Sequence, residues 1–476
     1  MARRSTFGSL LLALLLTPAV AGAPAAAEAP AKRVPRAAAE LQLSFAPVVR
    51  KVAPAVVNIY TKRVVETQPI SPLFNDPFFR RFFGDAFQVG PQKRVLGSLG
   101  SGVILRSDGV IVTNHHVIAG AQQITVVLTD RREFEATVML SDERTDLAIL
   151  RVDAGRTKLP TIELRDESEL EVGDLVLAVG NPFGVGQTVT SGIVSALART
   201  TVGVTDFRSF IQTDAAINPG NSGGALVSMD GRLVGVNTAI YSKSGGSIGI
   251  GFAIPASMVR AVLRAALSGT ALRRPWLGAG GQDVTADIAG SVGLARIGGV
   301  IIKDVYPGGP AADAGLRQGD VVVAVNGRDI VDGEDLRFRI ATLPIGSTAD
   351  LTVLREGDEV NLTLDLEPAP EDPPRNETKL VGAGPLAGAT VANLSPAVAE
   401  EMGTVRVADK GVVIVAVERS SFAQRLRLEP GDIVVALNGS RVESVAELKR
   451  LLSQKPPVWH LQINRAGQLI NLNIRA

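Results

Sequence analysis

The sequence contains three residues whose types and order could together cleave a peptide bond. Residues 220–224 read GNSGG, and glycines beside a serine permit the sharp turn that leaves N–H groups pointing at a developing oxyanion. A serine hydroxyl is a weak nucleophile until an imidazole takes its proton, and that imidazole needs a carboxylate to hold its tautomer. We therefore expect His116, Asp146 and Ser222 to be the catalytic residues.

The order of these residues along the chain separates two fold classes. Residues 220–224 also satisfy the G-x-S-x-G pattern of α/β-hydrolases, in which the histidine follows the serine. Only His460 follows Ser222, and it lies deep in the C-terminal half. The serine is followed by strand-forming residues 225–227 and an Asp-Gly turn, where a hydrolase would have a helix. The order His, Asp, Ser is typical of chymotrypsin-like double β-barrels.

Short strands separated by turns predict that the region around these residues is mainly β. Strand-like runs occur at residues 55–61, 100–105, 110–114, 124–128, 148–152, 175–179, 188–196, 233–237 and 249–254. The region has one helical pattern, at residues 256–267. About a dozen short strands in ~210 residues predict two packed barrels or a large sandwich.

Composition excludes several other classes of function. Lys and Arg total 49 against 48 for Asp and Glu, and a net charge of +1 gives no electrostatic basis for binding nucleic acid. The chain has no Cys and only three His, which excludes disulfides, Cys nucleophiles and Cys-ligated zinc. We therefore expect no nucleic-acid partner, no metal and no cofactor.

The N-terminus has the features of a cleaved export signal. Two arginines precede an apolar run of Leu and Ala at residues 10–16, and small residues follow it at a suitable cleavage site. The apolar run is shorter than the ~20 residues that a membrane span needs. We expect a signal peptide over residues 1–23, an N-terminal segment over residues 24–45, no membrane span, and a periplasmic location. A chain without Cys needs no oxidant to fold there.

The C-terminal half contains an internal repeat. Residues 299–305 recur at residues 411–417, and in both copies a Gly-Asp pair, a strand ending in Asn-Gly and an amphipathic helix follow. This order resembles PDZ domains, small β-barrels that bind an extended peptide at a sheet edge beside a helix. We expect PDZ domains at residues 275–367 and 379–476. Residues 368–378, rich in proline, are interpreted as a linker.

The motifs around the catalytic candidates resemble those of the HtrA/Deg (Do-like) family of periplasmic trypsin-like serine endoproteases with two C-terminal PDZ domains. The family motifs T-N-x-H-V, T-D-L-A and G-N-S-G-G occur at residues 113–117, 145–148 and 220–224. Further collinear matches occur at residues 180–184, 212–219 and 249–255. The resemblance implies a trypsin-like protease domain over residues 46–268. It also implies ATP-independent degradation of unfolded or misfolded proteins, that is, protein quality control under stress.

The resemblance further implies roles for residues beside the catalytic three. The backbone N–H groups of Gly220 and Ser222 would form the oxyanion hole, while Ile217, Ala239 and Ile240 would line the primary specificity pocket. Such a pocket carries no charge. It should accept Val, Ala or Ile before the scissile bond and exclude Lys or Arg, whose charges would be left unpaired.

One position departs from the family pattern. The family usually has Asn where this chain has His115, so two adjacent imidazoles compete for the role of base. Adjacent residues on a strand point to opposite faces, and we therefore expect only one of them to reach Ser222. The family motif, with Val after the histidine, selects His116. We interpret His115 as a packing or hydrogen-bonding residue.

The two repeat copies differ where PDZ domains receive a peptide's terminal carboxylate. The residues that resemble the family's aromatic-Leu-Gly-apolar loop are Trp276, Leu277, Gly278 and Ala279. In the second copy Leu, Ala, Gly and Ala at residues 386–389 occupy that place. In a separate turn, Arg427 stands where the first copy has Gly315, which predicts an altered loop geometry. We expect the first copy to capture apolar C-terminal peptides and the second mainly to support contacts between subunits.

Six phenylalanines fall between residues 74 and 87, in rows of four-residue spacing. Two interpretations stay open: a small core under a loop, or an exposed apolar stripe for contacts between subunits, as the family's loop provides. The resemblance implies a homo-oligomer built from trimers.

Two functions of different classes remain open from the sequence. One is a serine endoprotease that works without nucleotide, since no G-x-x-x-x-G-K-[ST] motif occurs. The other is a periplasmic chaperone or PDZ scaffold whose proteolysis is minor or lost. Digestion of unfolded casein by the wild type and by Ser222→Ala distinguishes them.

Overall fold

The computed structural model describes residues 44–65, 94–165, 169–181, 186–199, 209–218, 220–240, 249–270, 272–294, 296–382, 384–402, 411–454 and 456–475. The predicted signal peptide, nearly all of the predicted N-terminal segment and the phenylalanine-rich stripe lie outside these residues. The described chain begins with helix α1 (Ala46–Val52) and is mainly β, as predicted. No helix within these ranges is long and apolar enough to cross a membrane.

Six antiparallel strands close into a first barrel, in the order β1-β2-β3-β6-β5-β4. They are β1 (Val56–Val65), β2 (Arg94–Arg106), β3 (Val110–Thr113), β4 (Gln123–Val127), β5 (Glu133–Asp142) and β6 (Leu147–Val152). One short helix, α2 (His115–Ile118), follows β3. β3 is buried along its whole length because it lies between β2 and β6, and its residues are Val, Ile, Val and Thr.

Six more strands close into a second barrel, in the order β10-β11-β12-β9-β8-β7. They are β7 (Leu175–Gly180), β8 (Thr188–Arg199), β9 (Phe210–Thr213), β10 (Ala225–Ser228), β11 (Leu233–Ile240) and β12 (Gly251–Pro255), followed by helix α3 (Ala256–Ser268). Barrels, rather than a sandwich, are therefore the correct alternative. The predicted runs missed β5, half of whose residues are polar and most of which are exposed, and β9, which has only four residues.

The two barrels share one apolar core. Ile59 and Leu150 of the first barrel and Leu177 and Val236 of the second are fully buried in the same cluster. Helix α3 contributes Val259 to this cluster. Burial of such side chains is the main favourable contribution to folding, and here it also holds the loops of one barrel against the other.

The two repeat copies share one order of elements. The first contains β13 (Ala279–Asp283), α4 (Ala286–Val292), β14 (Val300–Val305), α5 (Pro310–Asp313), β15 (Val321–Val325), β16 (Arg328–Asp329), α6 (Gly333–Thr342), β17 (Thr348–Arg355) and β18 (Asp358–Asp365). The second contains β19 (Thr378–Lys379), β20 (Ala389–Asn393), α7 (Pro396–Glu401), β21 (Val412–Val417), α8 (Phe422–Arg425), β22 (Ile433–Leu437), β23 (Ser440–Arg441), α9 (Val445–Leu452), β24 (Val458–Arg465) and β25 (Gln468–Arg475).

The longer helices of the two copies begin at corresponding caps. The Asp332 carboxylate accepts from the Asp335 N–H at 2.8 Å at the start of α6. The Ser444 hydroxyl accepts from the Glu447 N–H at 3.2 Å at the start of α9. Asp and Ser are preferred at this position because they satisfy a backbone donor that the first helical turn leaves unpaired.

The first strand of each sheet has different neighbours in the two copies. β13 pairs with β14, and no strand among the described residues pairs with its other edge. β20 pairs with β21 on one side and with β19 on the other, where Thr378 lies opposite Val391. The edge that is open in the first copy is therefore filled in the second by the chain that precedes it.

The proline-rich segment 368–378 contacts the second copy closely. Asn393 in β20 donates its backbone N–H to the Arg375 carbonyl and its side-chain amide to the Pro374 carbonyl, both at 2.7 Å. Arg375 also forms an ion pair with Glu401 of α7. Prolines keep a chain extended and leave its carbonyls free to accept, so a composition typical of linkers also suits a segment bound along a domain.

Candidate active site

His116 and Asp146 lie together because β3 and β6 are neighbours in the first barrel. Thr113 at the end of β3 lies opposite Ala148 at the start of β6, so the residues after β3 and before β6 share one edge. His116 Nδ1 lies 2.8 Å from Oδ2 and 2.9 Å from Oδ1 of Asp146. The backbone N–H of His116 also donates to Asp146 Oδ1, at 3.0 Å. The imidazole is thus bound through Nδ1, with Nε2 left for chemistry.

The backbone of Asp146 is held in a left-handed turn, with φ of 54°. Its N–H donates to the Glu143 carbonyl at 3.2 Å. Its own carbonyl accepts from the His115 N–H at 3.1 Å and from the Asn114 side-chain amide at 3.0 Å. Asp enters this region of backbone space more readily than most residues. These bonds fix the carboxylate relative to α2, which carries the histidines.

The Asp146 carboxylate is ionised at neutral pH although only 7% of its side chain is exposed. Burial by itself raises the pKa of a carboxyl group. Hydrogen bonds from His116 and Thr238 and attraction to His116 outweigh burial, so the pKa of Asp146 lies below its ordinary value. A buried carboxylate in this state can stabilise positive charge on the imidazole.

His115 and His116 lie on one helical turn, which corrects the assumption that they belong to a strand. Successive helical residues point about 100° apart, so the two rings still separate. His115 Nδ1 lies 2.8 Å from Ser141 Oγ of β5, while the His116 ring faces Asp146. The structure therefore places only His116 against the carboxylate.

Ser222 lies where the second barrel meets the first. Its carbonyl accepts from the Ser101 N–H of β2 at 2.8 Å. The next residue, Gly223, has φ of 82°, and a Cβ there would lie 2.1 Å from the Ser101 carbonyl oxygen, so only glycine permits this approach. Ser222 Oγ donates to the Thr238 carbonyl at 3.1 Å rather than to His116.

The backbone N–H groups of the loop that carries Ser222 differ in their hydrogen bonding. Among the described residues, the N–H groups of Gly220 and Ser222 donate to no acceptor, and Gly220 has φ of 96°. The intervening Asn221 N–H donates to the Asn218 carbonyl at 2.9 Å, and the Gly223 N–H donates to the Asn237 carbonyl at 2.8 Å. The loop thus leaves unpaired the two donors that an oxyanion hole requires.

The predicted pocket residues come from neighbouring segments of the second barrel. Ile217 is buried, and a Cβ at Gly251 would lie 2.8 Å from its side chain. Gly251 in β12 pairs with Ile240, and Phe252 pairs with Ala239, at the end of β11. The side chains of Ala239 and Ile240 lie outside the described residues. Their backbone positions put them on the strand next to the one that Ile217 contacts.

The predicted peptide-binding loop precedes β13 in the first copy. The Trp276 ring packs against Tyr306 with centroids 5.2 Å apart. The Leu277 carbonyl accepts from the Ala311 N–H at 3.1 Å, and the Gly278 carbonyl accepts from the Tyr306 N–H at 2.8 Å. These bonds hold the loop that leads into Ala279, the first residue of the open edge strand.

The turn at Arg427 in the second copy has the same geometry as the turn at Gly315 in the first, so the prediction of an altered turn is wrong. Arg427 has φ of 58° where Gly315 has 82°. The Leu428 N–H donates to the Ala423 carbonyl at 3.1 Å, and the Leu316 N–H of the first copy donates to the Ala311 carbonyl at 2.9 Å. A left-handed residue other than glycine costs only about 1–2 kcal/mol, which the same turn hydrogen bonds can offset.

Comparison with known proteins matches both parts of this architecture. Residues 100–236 match the trypsin-like peptidase domain family, and residues 272–366 match the PDZ domain family. The chain is 39% identical over 435 residues to the periplasmic pH-dependent serine endoprotease DegQ of Escherichia coli, covering 91% of each chain. It is 37% identical to the periplasmic serine endoprotease DegP of Salmonella typhimurium, covering 97% of this chain and 98% of that one.

Solved structures of HtrA-type proteases also resemble this chain. The HtrA-type protease AlgW with a decapeptide is 46% identical, with a TM-score of 0.50, over 69% of this chain and 99% of that chain. AlgW with a tripeptide is 42% identical, with a TM-score of 0.51, over 69% and 98%. The chain belongs to the HtrA family of serine endoproteases. Its enzymatic class is therefore that of a serine endopeptidase, with trypsin-like and PDZ domains.

Sequence reasoning missed one residue that contacts two of the predicted catalytic residues of this HtrA protease. Thr238 of β11 donates its hydroxyl to Asp146 Oδ2 at 2.6 Å, and its carbonyl accepts from Ser222 Oγ at 3.1 Å. The sequence feature that could have pointed to Thr238 is its position just before the predicted pocket residues Ala239 and Ile240. A strand residue without a motif of its own shows such a role only when the two barrels are assembled.

Replacing Thr238 with valine should lower kcat by about 10- to 100-fold, since a hydrogen bond to a charged group contributes about 1.5–3 kcal/mol. The pKa of Asp146 should rise, because one of the bonds that lower it is lost. A carboxyl group with a depressed pKa stabilises the fold above its unfolded pKa, and that stability is lost as pH falls through the folded pKa. Acid unfolding of Thr238→Val should therefore begin at higher pH. Thr238→Ser, which keeps the hydroxyl, should behave as wild type in both measurements.

Proposed function

We propose that this protease degrades unfolded or misfolded proteins in the periplasm through a triad of His116, Asp146 and Ser222. The observation that carries the proposal is the buried, ionised Asp146 bound to His116 Nδ1 at 2.8 Å. The DegP and DegQ relatives are named periplasmic serine endoproteases, which supports the location. Export through cleavage of the signal peptide at residues 1–23 belongs to the same proposal.

In the proposed mechanism His116 acts first as base and then as acid. Ser222 Oγ turns from the Thr238 carbonyl toward His116 Nε2, transfers its proton there and attacks the scissile carbonyl. Asp146 stabilises the resulting imidazolium. The Gly220 and Ser222 N–H groups receive the oxyanion. His116 then protonates the leaving amine, which leaves Ser222 acylated. A water molecule, deprotonated by His116, attacks the acyl-enzyme, and His116 returns the proton to Ser222 as the acid product leaves.

The proposed specificity pocket favours small or β-branched apolar side chains. Ile217 is buried against β12, and the Ala239 and Ile240 backbone lies at the end of the adjacent strand. None of the three carries a charge that could pair with Lys or Arg. Val, Ala and Ile are mostly buried in folded proteins, so a protease that cleaves after them acts on chains that have lost their fold.

Mapping the cleavage sites in reduced, unfolded casein tests this proposal. Mass spectrometry of the products should place Val, Ala or Ile before most scissile bonds and Lys or Arg before almost none. A folded, stable protein incubated in parallel should remain intact. Frequent cleavage after Lys or Arg would show that the pocket assignment is wrong, while failure of Ser222→Ala to abolish the products would show that the nucleophile is wrong.

Within the proposed function, the first PDZ copy captures apolar C-terminal peptides. Its strand β13 has an open edge beside the loop of residues 276–279, so an extended peptide can add there. In the second copy the Gly388 N–H donates to the Leu380 carbonyl at 2.8 Å, and the Leu380 N–H donates to the Ala389 carbonyl at 2.8 Å. The chain itself therefore occupies the position that a peptide would take.

Leu380 also fills the apolar space of the second copy. It is buried in one hydrophobic cluster with Leu448 and Leu451 of α9, the helix that would flank a bound peptide. A Cβ at Gly384 would lie 3.4 Å from the Leu452 side chain, so Gly384 also lies close to that helix. The second copy is then free to serve contacts between subunits in the proposed homo-oligomer of trimers.

Matched glycine substitutions test this division of roles in the full-length Ser222→Ala protein. Gly278→Val should weaken binding of a fluorescent peptide ending in Val at least about tenfold, because φ of 74° is strained for a β-branched residue. Gly388→Val, at the equivalent position of the second copy, should leave the affinity unchanged. Leu380→Pro, which removes the N–H that donates to the Ala389 carbonyl and replaces the buried leucine side chain with a smaller ring, should loosen this segment and add a second binding site per chain. Equal loss from both valine variants would contradict the proposal.

A further inference from the structure

We infer that Ser101 is a positioning residue for the oxyanion hole, acting through the loop that carries Ser222. Ser101 lies in β2 of the first barrel and is completely buried. No role follows from its place in the sequence, where it stands between two glycines. The inference rests on the proposed triad and oxyanion hole, and the experiment below separates its failure from theirs.

Every polar group of Ser101 is hydrogen-bonded, and three of the four bonds reach the second barrel. Its N–H donates to the Ser222 carbonyl at 2.8 Å. Its hydroxyl donates to the Gly220 carbonyl at 2.6 Å and accepts from the Asn181 N–H at 2.9 Å. Its carbonyl accepts from the Thr113 hydroxyl at 2.7 Å, within the first barrel. The hydroxyl hydrogen is thus directed at the nucleophile loop.

The two carbonyls that Ser101 holds belong to the residues whose N–H groups would receive the oxyanion. A residue's carbonyl lies in the planar peptide unit that follows it, so anchoring the carbonyl fixes that plane, and the residue's own N–H can then turn only through changes in its φ and ψ. This restraint matters most at Gly220, which has φ of 96° and no side chain to limit rotation. An N–H that turns away from the reacting carbonyl no longer stabilises the transition state.

The loop's own hydrogen bonds hold the N–H side of the Gly220–Asn221 peptide and leave its carbonyl side to Ser101. The Asn221 N–H donates to the Asn218 carbonyl and the Gly224 N–H to the Asn221 carbonyl, both at 2.9 Å. Neither involves the Gly220 carbonyl, and no other group in the described part of the chain donates to it. The Ser101 hydroxyl is therefore the contact that holds the carbonyl side of the Gly220–Asn221 peptide.

Steady-state kinetics and labelling by diisopropyl fluorophosphate test the inference on the full chain. The reagent phosphorylates an activated serine and places an oxygen where the oxyanion forms, so its rate depends on the same N–H groups. Ser101→Ala should lower kcat for a peptide substrate by about 10²-fold or more, the scale of losing one oxyanion donor. The labelling rate should fall by a similar factor, and KM should stay within about threefold.

Two further variants distinguish positioning from loss of stability. Ser228→Ala removes another buried hydroxyl, which donates to Asp230 and not to the nucleophile loop, so kcat should be unchanged even if the melting temperature falls. Ser101→Cys keeps the size of the side chain but offers a weaker donor, so its kcat should lie between wild type and Ser101→Ala. If Ser101→Ala does not fold, the kcat and labelling rate of Ser101→Cys test the inference by themselves.

The inference is overturned if Ser101→Ala, or Ser101→Cys where alanine does not fold, keeps kcat and the labelling rate within about threefold of wild type. Equal losses in Ser101→Ala and Ser228→Ala would also overturn it, because the effect would then follow stability. If the wild type is not labelled at Ser222, the proposed triad itself fails. If Ser222 is labelled and substitutions of Ser101 do not change the labelling rate, only the role of Ser101 is refuted.

Discussion

Ser222→Ala should lose essentially all hydrolysis of reduced, unfolded casein, a fall of about 10⁴-fold or more in kcat, while folding normally. The substitution removes the nucleophile, but the Ser222 backbone that contacts Ser101 is kept. Within the described part of the chain the Oγ donates to the Thr238 carbonyl alone, so its removal leaves one acceptor to be hydrated and a cavity no larger than one oxygen atom. Product release followed by fluorescence, with circular dichroism as a check on the fold, provides the measurement.

The adjacent histidines supply a matched pair for the same assay. His116→Ala should be as inactive as Ser222→Ala, because the serine then has no base. His115→Asn should keep most activity, since the His115 ring contacts Ser141 of β5 and not Asp146. Asn is also the residue that the family usually has there. Equal inactivity of the two histidine variants would mean that the base has been misassigned.

Asp146→Asn should lower kcat by about 10⁴-fold with little change in KM, the scale known for the corresponding change in a chymotrypsin-like triad. The amide keeps the shape of the carboxylate but cannot stabilise an imidazolium, and its NH₂ group favours the wrong tautomer of His116. The His116 and Thr238 donors now bound to Asp146 would also face a group with only one acceptor oxygen. Kinetics with a short peptide substrate measure kcat and KM separately.

Asp230→Asn is the control for that substitution. Hydrogen bonds from Ser228 and Arg232 outweigh the effect of burial and lower the pKa of Asp230 to about 2, so it too is an ionised, hydrogen-bonded carboxylate. It lies in a turn between β10 and β11 and contacts no triad residue. Asp230→Asn should therefore change stability alone. A similar loss of kcat in both variants would show that the effect of Asp146→Asn is general destabilisation.

Much of the fold and the catalytic candidates could be predicted from the sequence because both depend on local patterns. A serine between glycines, a histidine after an apolar strand and an aspartate before another occur in the order typical of a double barrel. The repeat in the C-terminal half is visible because each copy repeats the same strand, turn and helix residues. The largely exposed β5 and the very short β9 were missed because their pairing partners, rather than their own residues, make them strands.

Only the tertiary structure decided how these elements meet. That His116 rather than His115 faces Asp146 follows from a helical turn after β3, and Thr238 and Ser101 join the site only because the barrels close and pack. The two repeat copies have the same turn at Gly315 and at Arg427, yet among the described residues only the second copy has its sheet edge filled by the preceding chain, through Leu380. These contacts join residues distant in the chain, and a side chain's local sequence carries no record of which distant carbonyl or strand edge it will satisfy.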